Sequence, residues 1–231
     1  MHLLLNLFGS IYMKIGIVGS GYVGLVTGCC LAEVGHQVTM IDFNEKLIDQ
    51  LNKGQPHFYE PGLEDLLKKV LSTSRLNVRG PDMEGLSDSE IIMLAVGTPS
   101  CDGVIDLSYI KSACEAVAPI IKEMPEPASL VVKSTVVPGT TDTFVKDIFN
   151  RVGCPLYLGM NPEFLREGSA VEDFRKPDRL VLGADDDKTR ERLEECYLPW
   201  SCDKVRSSTR TAEMVKYTNN GMLALQISAT T

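Results

Sequence analysis

The chain has 231 residues, 44% of them hydrophobic and 23% charged, with a formal net charge of −8. That is an ordinary globular mix, and it excludes a disordered, collagen-like or coiled-coil chain. The acidic balance speaks against broad binding to a nucleic-acid backbone, and no apolar run reaches the length of a membrane span.

Residues 1–12 (MHLLLNLFGSIY) are apolar and carry no Lys or Arg, so they do not read as a signal peptide. They are taken as an extension ahead of Met13. KIGIVG (14–19) and QVTMID (37–42) are predicted strands, joined by a helix that runs through Ala32. A helix follows from Asn44 to Asn52, and another from Pro61 through Leu71, with proline at a favourable first-turn position. RLNVRG (75–80) is a short strand, and EIIMLAVG (90–97) is a continuous apolar strand of the kind buried on both faces.

Asp106 is placed to cap a helix that ends near Glu123. SLVVKST (129–135) is the next strand, Pro138 begins a helix to about Arg151, and PLYLGMNPEF (155–164) is a strand leaving into a loop. RLVLGA (179–184) and DKVRS (203–207) are strands with a helix between them. Thr209 opens a last helix whose apolar pattern reaches Thr231 with no terminating Gly or Pro after Ile227, the pattern of a truncated chain. Its residues Met222, Leu223, Leu225 and Ile227 need a cover, which a second copy or the chain's own domain would supply.

Strand–helix alternation predicts an α/β fold: a doubly wound, mostly parallel sheet with right-handed crossovers, followed by a long C-terminal helix. Ligands in such sheets sit beyond the carboxyl ends of the strands. The seven cysteines are odd in number and none is spaced Cys-x-x-Cys. They read as reduced, mostly buried thiols of a cytoplasmic protein, and neither a disulfide scaffold nor a metal site is expected.

Gly19-Ser20-Gly21-Tyr22-Val23-Gly24 fits G-x-G-x-x-G, follows a predicted strand and opens a helix. Gly19 permits the tight turn, Gly21 lets backbone approach a pyrophosphate, and Gly24 lets the helix pack closely on the strand. The helix N-terminus then offers free N–H groups to phosphate oxygens. Asp42 lies at the end of the second strand, 18 residues after Gly24. A carboxylate there accepts hydrogen bonds from both ribose hydroxyls and repels a 2′-phosphate, so NAD is favoured over NADP.

VGTP (96–99) and KSTV (133–136) place hydroxyls just past strand ends, and NPEFLREG (161–168) places two carboxylates and an arginine in another such loop. Each alone reads as a solvated loop. Together, at the ligand-binding edge, they point to a site. Lys216 and Asn220 are spaced i, i+4 and share a face of the last helix, where the ammonium would stabilise a developing alkoxide and the amide would hold a hydroxyl or water.

GSGYVG (19–24), FYEPGL (58–63), VGTP, KSTV, NPEFLREG, DFRKPDRLVLG (173–183) and KYTNN (216–220) together resemble the UDP-glucose/GDP-mannose dehydrogenase family, over residues 14 to about 228. The resemblance implies a Rossmann-type domain over 13–207, the start of a central, dimer-forming helix over 208–231, and oxidation of a sugar 6-alcohol to a carboxylate with two NAD⁺ in turn. The PDR step favours the UDP-glucose branch.

By the same resemblance, Tyr22 and Val23 line the pyrophosphate, Asp42 the adenosine ribose, and Thr98, Thr135 and Glu167 contact the cofactor. Glu163 is the acid/base carboxylate, and Thr135 helps to hold a water. Phe164, Leu165 and Arg166 lie along the sugar nucleotide, and Lys216 and Asn220 stabilise the oxyanion.

The family's nucleophilic cysteine belongs to a GG-x-C context that none of the seven cysteines matches, and its second nucleotide-fold domain is likewise not found in the sequence. Gly221, inside the last helix, is a further departure from the family pattern. The expectation is a chain that binds NAD(H) with negligible turnover of UDP-glucose by itself. The competing readings are a non-catalytic dinucleotide-binding module and a 2-hydroxyacid or 6-phosphogluconate-type dehydrogenase, against which the NPEFLREG and FYEPGL segments count.

Overall fold

A computed structural model describes residues 12–230. Apart from Tyr12, the expected extension over 1–12 lies outside them, as does Thr231. In chain order the elements are β1 (Lys14–Val18), α1 (Tyr22–Val34), β2 (Gln37–Ile41), α2 (Glu45–Asn52), α3 (Leu63–Ser72), β3 (Leu76–Arg79) and β4 (Ile91–Leu94). A two-stranded hairpin follows, β5 (Ser100–Cys101) and β6 (Val104–Ile105), then α4 (Ser108–Glu123), β7 (Ser129–Val132), α5 (Lys146–Arg151) and β8 (Tyr157–Met160). The chain closes with α6 (Ala170–Arg175), β9 (Arg179–Ala184), α7 (Asp187–Cys196), β10 (Asp203–Ser207) and α8 (Thr209–Thr230).

Eight strands form one sheet in the order β10-β9-β8-β7-β4-β1-β2-β3. From β3 to β8 every pairing is parallel. The order reverses between β1 and β4, and crevices at such a switch point receive ligands at the strands' carboxyl ends. β9 runs antiparallel to β8, and β10 is parallel to β9, so this edge departs from the parallel pattern that the alternation alone suggests.

The strands feed two cores. In β4, Ile91 and Met93 pack on one side with α1, α3, α6 and α7, while Ile92 and Leu94 pack on the other with α4, α5 and the start of α8. All four are fully buried. Because the side-chain period of a strand is two, a slip of one residue would swap every one of these side chains between cores, and register is thereby held.

Local chemistry sets the element ends. The Asn44 side chain accepts from the Leu47 N–H and caps α2. The Thr209 hydroxyl donates to Asp185 at 2.5 Å where α8 begins. The helix expected from Pro61 starts instead at Leu63, because Gly62 sits in the left-handed region (φ +78°). The helix expected from Pro138 opens with a wide π-type turn over Thr140–Val145 before α5. There the buried Glu213 carboxylate of α8 accepts the N–H groups of Gly139 and Thr141 at 2.5 and 2.7 Å. The strands expected over 129–135 and 155–164 are shorter, since Lys133 and Asn161 leave the sheet at their ends.

Candidate functional site

The glycine-rich end of the crevice is built mostly from backbone. Gly19 turns the chain at φ +101°, and its N–H donates to the Ile41 carbonyl at 2.8 Å. A Cβ on Gly24 would stand 2.0 Å from the Gly19 carbonyl oxygen, so α1 can approach the turn only with glycine there. Gly21 is different. A Cβ on it would meet no atom within 4 Å, so the space above it is open. Gly21 precedes α1 with no side-chain cap, and the first turn of α1 has no acidic residue. The helix therefore keeps its positive end and its first amides for a ligand.

Asp42 stands just past β2. One carboxylate oxygen accepts the Ser20 N–H (2.8 Å) and hydroxyl (2.6 Å), and the other accepts the Asn44 N–H at 3.0 Å. These bonds fix the carboxylate beside the glycine turn, with lone pairs to spare for vicinal hydroxyls. An open cradle, an uncapped helix and a fixed carboxylate together suit a dinucleotide.

The Thr98 hydroxyl donates to the Thr135 carbonyl at 2.8 Å, tying the loop after β4 to the loop after β7. Val23 is half-buried, and Glu167 is exposed. Tyr22 does more than line a turn. Its hydroxyl donates to Glu60 at 2.8 Å, and burial followed by that bond pushes its phenol up. Glu60, almost wholly buried, also accepts the N–H groups of Gly168 and Ala170 at 2.9 and 2.8 Å. One carboxylate of the FYEPGL segment thus binds the glycine-rich turn to the NPEFLREG loop.

A cavity of about 370 Å³ lies beside that loop. Glu163 and Lys216 meet at its edge with Nζ–Oε1 2.7 Å, and the other Glu163 oxygen accepts the Leu165 N–H at 2.7 Å. Both side chains are largely buried, 6% of Lys216 and 13% of Glu163 being exposed. Two cations approach the Phe164 ring, Lys216 at 5.4 Å and Arg179 at 5.1 Å from its centroid. Arg166 is held by Asp173 at 2.6 Å. Phe164, Leu165 and Arg166 all line the cavity.

Asn220 is exposed and is not among the residues lining the cavity; Asn219 is, and it accepts from Arg179 at 3.4 Å. The i, i+4 spacing placed Lys216 and Asn220 on one side of α8, but only Lys216 is covered by the domain.

Sequence reasoning missed Lys133, Asn161 and Glu60. Lys133 is 3% exposed and lies on the cavity wall. Its ammonium donates to the Asn161 side chain at 2.8 Å and to the Asn161 carbonyl at 3.3 Å. Burial pushes it down to about 8, against the opposing pull of Glu163. A signal was present: LVVK and LGMN each put a polar residue directly after an unbroken apolar strand, where a side chain stays at core depth. Among the described residues no cysteine lines the cavity, and burial pushes the nearby Cys196 thiol up to about 12, far from a nucleophile's range. Among the described residues no cluster of His, Cys, Asp and Glu could hold a metal ion, and no helix is long and apolar enough to cross a membrane.

Residues 13–201 match the NAD binding domain of the UDP-glucose/GDP-mannose dehydrogenase family. The chain belongs to that family. A UDP-glucose 6-dehydrogenase of Bacillus subtilis is 42% identical over 94% of this chain and 49% of its own length. The structure of a UDP-glucose dehydrogenase from the archaeon Pyrobaculum islandicum superposes with a TM-score of 0.91 at 41% identity, covering 95% of this chain and 52% of the archaeal one. A ternary complex of GDP-mannose dehydrogenase from Pseudomonas aeruginosa gives 0.89 at 38% identity, over 93% of this chain and 51% of that one. The chain thus spans about half the length of the relatives it matches.

Proposed function

We propose that this chain is the NAD-binding half of a nucleotide-sugar 6-dehydrogenase of the UDP-glucose type, with residues 13–207 as the cofactor domain and 208–231 as the start of a central helix. The observation that carries the reading is the Glu163–Lys216 pair at the edge of a cavity on the same loop that Glu60 ties to the glycine-rich turn. Bound NAD⁺ would accept hydride from the sugar's primary alcohol.

The chain's own residues supply the rest. Gly19, Gly21 and Gly24 shape the turn, with Tyr22 and Val23 along the pyrophosphate. Asp42 takes the ribose, and Thr98, Thr135 and Glu167 contact the cofactor. Glu163 takes the hydroxyl proton, with Thr135 holding a water beside it. Lys216 and Asn220 balance the oxyanion. Phe164, Leu165 and Arg166 lie along the nucleotide sugar.

By the family resemblance, complete oxidation to the acid runs through a cysteine thiolate, and among the described residues no cysteine lines this cavity. The 231 residues by themselves are therefore expected to bind NAD(H) with negligible turnover. The thiols, five of them buried, suit a reducing compartment such as the cytoplasm. Met222, Leu223, Leu225 and Ile227 are each about half or more exposed on α8 and suit pairing with a second copy, which sedimentation at several concentrations would reveal.

The functional test is thermal shift with NAD⁺ present. UDP-glucose should raise the melting temperature more than GDP-mannose, and 6-phosphogluconate should not raise it. A response to 6-phosphogluconate alone would favour the other dehydrogenase class, and no response to any sugar would favour a non-catalytic module.

A further inference from the structure

Lys133 is an ammonium at core depth without a counterion. Among the described residues no carboxylate forms an ion pair with it, and both of its hydrogen bonds go to Asn161. The Asn161 side chain is held at both of its ends. Its oxygen accepts from Lys133 and from the Tyr197 hydroxyl at 2.5 Å, and its amide donates to the Val181 carbonyl at 2.9 Å. The other cations around the cavity have carboxylates of their own: Lys216 has Glu163, Arg166 has Asp173, and Lys176 has Glu172. Arg179 is exposed, so water serves it. Lys133 has the Phe174 ring as a further partner, its centroid 5.9 Å from the nitrogen.

A buried charge without an ion partner in contact is costly, and the pull of Glu163 and the Phe174 ring offset that cost only in part, burial being the larger effect on the ammonium. An ammonium has three N–H donors, two of which are spent on Asn161. The residue lies on the cavity wall beside Glu163. Glu163 and Lys216 cancel, so Lys133 leaves the inner cavity with one positive charge in excess. Oxidising a primary alcohol to a carboxylate gives a ligand one negative charge that it lacked before.

We propose that Lys133 is the counterion of the sugar carboxylate, offering its third N–H into the cavity and favouring the oxidised sugar over the alcohol. The proposal rests on the nucleotide-sugar reading above. It makes Lys133 a ligand-contacting residue, whereas a purely structural lysine would hold Asn161 and be indifferent to the sugar's oxidation state.

The test uses the full chain with NAD⁺ and calorimetric titration with UDP-glucose and UDP-glucuronate. The acid should bind about tenfold or more tightly than the alcohol, the size of one charge-assisted hydrogen bond. In Lys133→Met the two affinities should agree within about twofold. A preference that persists in folded Lys133→Met overturns the proposal.

A second measurement does not depend on that variant folding or on nucleotide recognition. The Lys133 amine is followed by ¹³C NMR in the wild-type chain, with and without free D-glucuronate. The titratable groups that face it are Glu163 from the loop after β8, Cys196 and Tyr197 at the end of α7, and Lys216 from α8. Glucuronate should move its titration to higher pH, as an added anion requires, and D-glucose should leave it in place. An amine unmoved by saturating glucuronate overturns the proposal. Failure of both UDP-sugars to bind, with this shift present, would sink the nucleotide part of the functional reading and leave the role of Lys133 standing.

Discussion

The two ends of the ligand crevice are built from different materials. The end proposed for the dinucleotide is a turn of main-chain atoms: Gly19 in the left-handed region, the open space above Gly21, the uncapped start of α1, and a single carboxylate, Asp42, fixed by Ser20. The end proposed for the sugar is a cluster of side-chain charges, with Glu163 against Lys216 and Lys133 behind them on Asn161. A main-chain site is specified by where side chains are missing and holds its shape through local conformation. A charge cluster is specified by long-range packing, since Glu163 and Lys216 are 53 positions apart. The first end should therefore fail through added volume, and the second through a lost partner.

Gly24→Ala should have the largest effect. Its Cβ meets main-chain atoms that cannot rotate away, 2.0 Å from the Gly19 oxygen. Overpacking typically costs about 1–3 kcal/mol and more where backbone must move, so the variant should melt well below the wild type and show no binding of NAD⁺ by calorimetry.

Lys216→Met should come next. It strands Glu163 without its ion partner in a largely buried position, a change that costs about 3 kcal/mol. Denaturant unfolding should show the loss, and pairing the change with Glu163→Leu should recover much of it, because an apolar pair carries no desolvation cost. A double variant no more stable than Lys216→Met would contradict the packing account.

Gly21→Ala sharpens the contrast within one motif. Its added methyl meets no atom of the protein, and the position has φ −64°, which alanine adopts freely. The melting temperature should stay within about a degree of the wild type, while NAD⁺ affinity falls about tenfold or more from crowding of the pyrophosphate. Unchanged affinity would show that the pyrophosphate does not pass over this residue.

The smallest effect concerns a buried titratable group at the amino-terminal end of the parallel strands. His36 is fully buried where β2 begins. Its Nδ1 accepts the Met13 N–H at 3.1 Å, and its Nε2 lies 3.0 Å from the Cys196 carbonyl. The partners assign Nε2–H as donor, so the ring is neutral. Burial holds its pKa below the usual 6.5. The unfolded chain then takes up a proton that the folded one refuses. The stabilising contribution of His36 is present above pH 6.5 and is lost as pH falls below it, toward the folded value. Melting temperature should decline across that window, and His36→Gln should flatten this part of the profile.

Much of the fold was readable because its signals are local. Alternating strands and helices, the glycine spacing and the acid after β2 each depend on a few neighbouring residues. What escaped depended on distant contacts. The reversal of β9 and β10 leaves no trace in a six-residue apolar run. The Asp102-Gly103 pair, with φ +52° and +78°, does carry a hairpin signal, but β5 and β6 are only two residues each. At the site, attention to the hydroxyls of KSTV passed over its lysine, since Lys is usually solvated. Only the packing of Asn161, Phe174 and Tyr197 around Lys133 keeps it in the core. Asn220 shows the converse, with helical spacing right and burial not encoded in it. Glu60 lay within a recognised segment, yet its three partners come from residues 22, 168 and 170.

The most direct measurement is calorimetric titration of the purified 231-residue chain with NAD⁺ and with NADP⁺. The account predicts saturable, one-to-one binding of NAD⁺, and weaker binding of NADP⁺ because Asp42 repels the 2′-phosphate, a preference that Asp42→Ala should erase. A folded chain that gives no heat with NAD⁺, or that prefers NADP⁺, would contradict it.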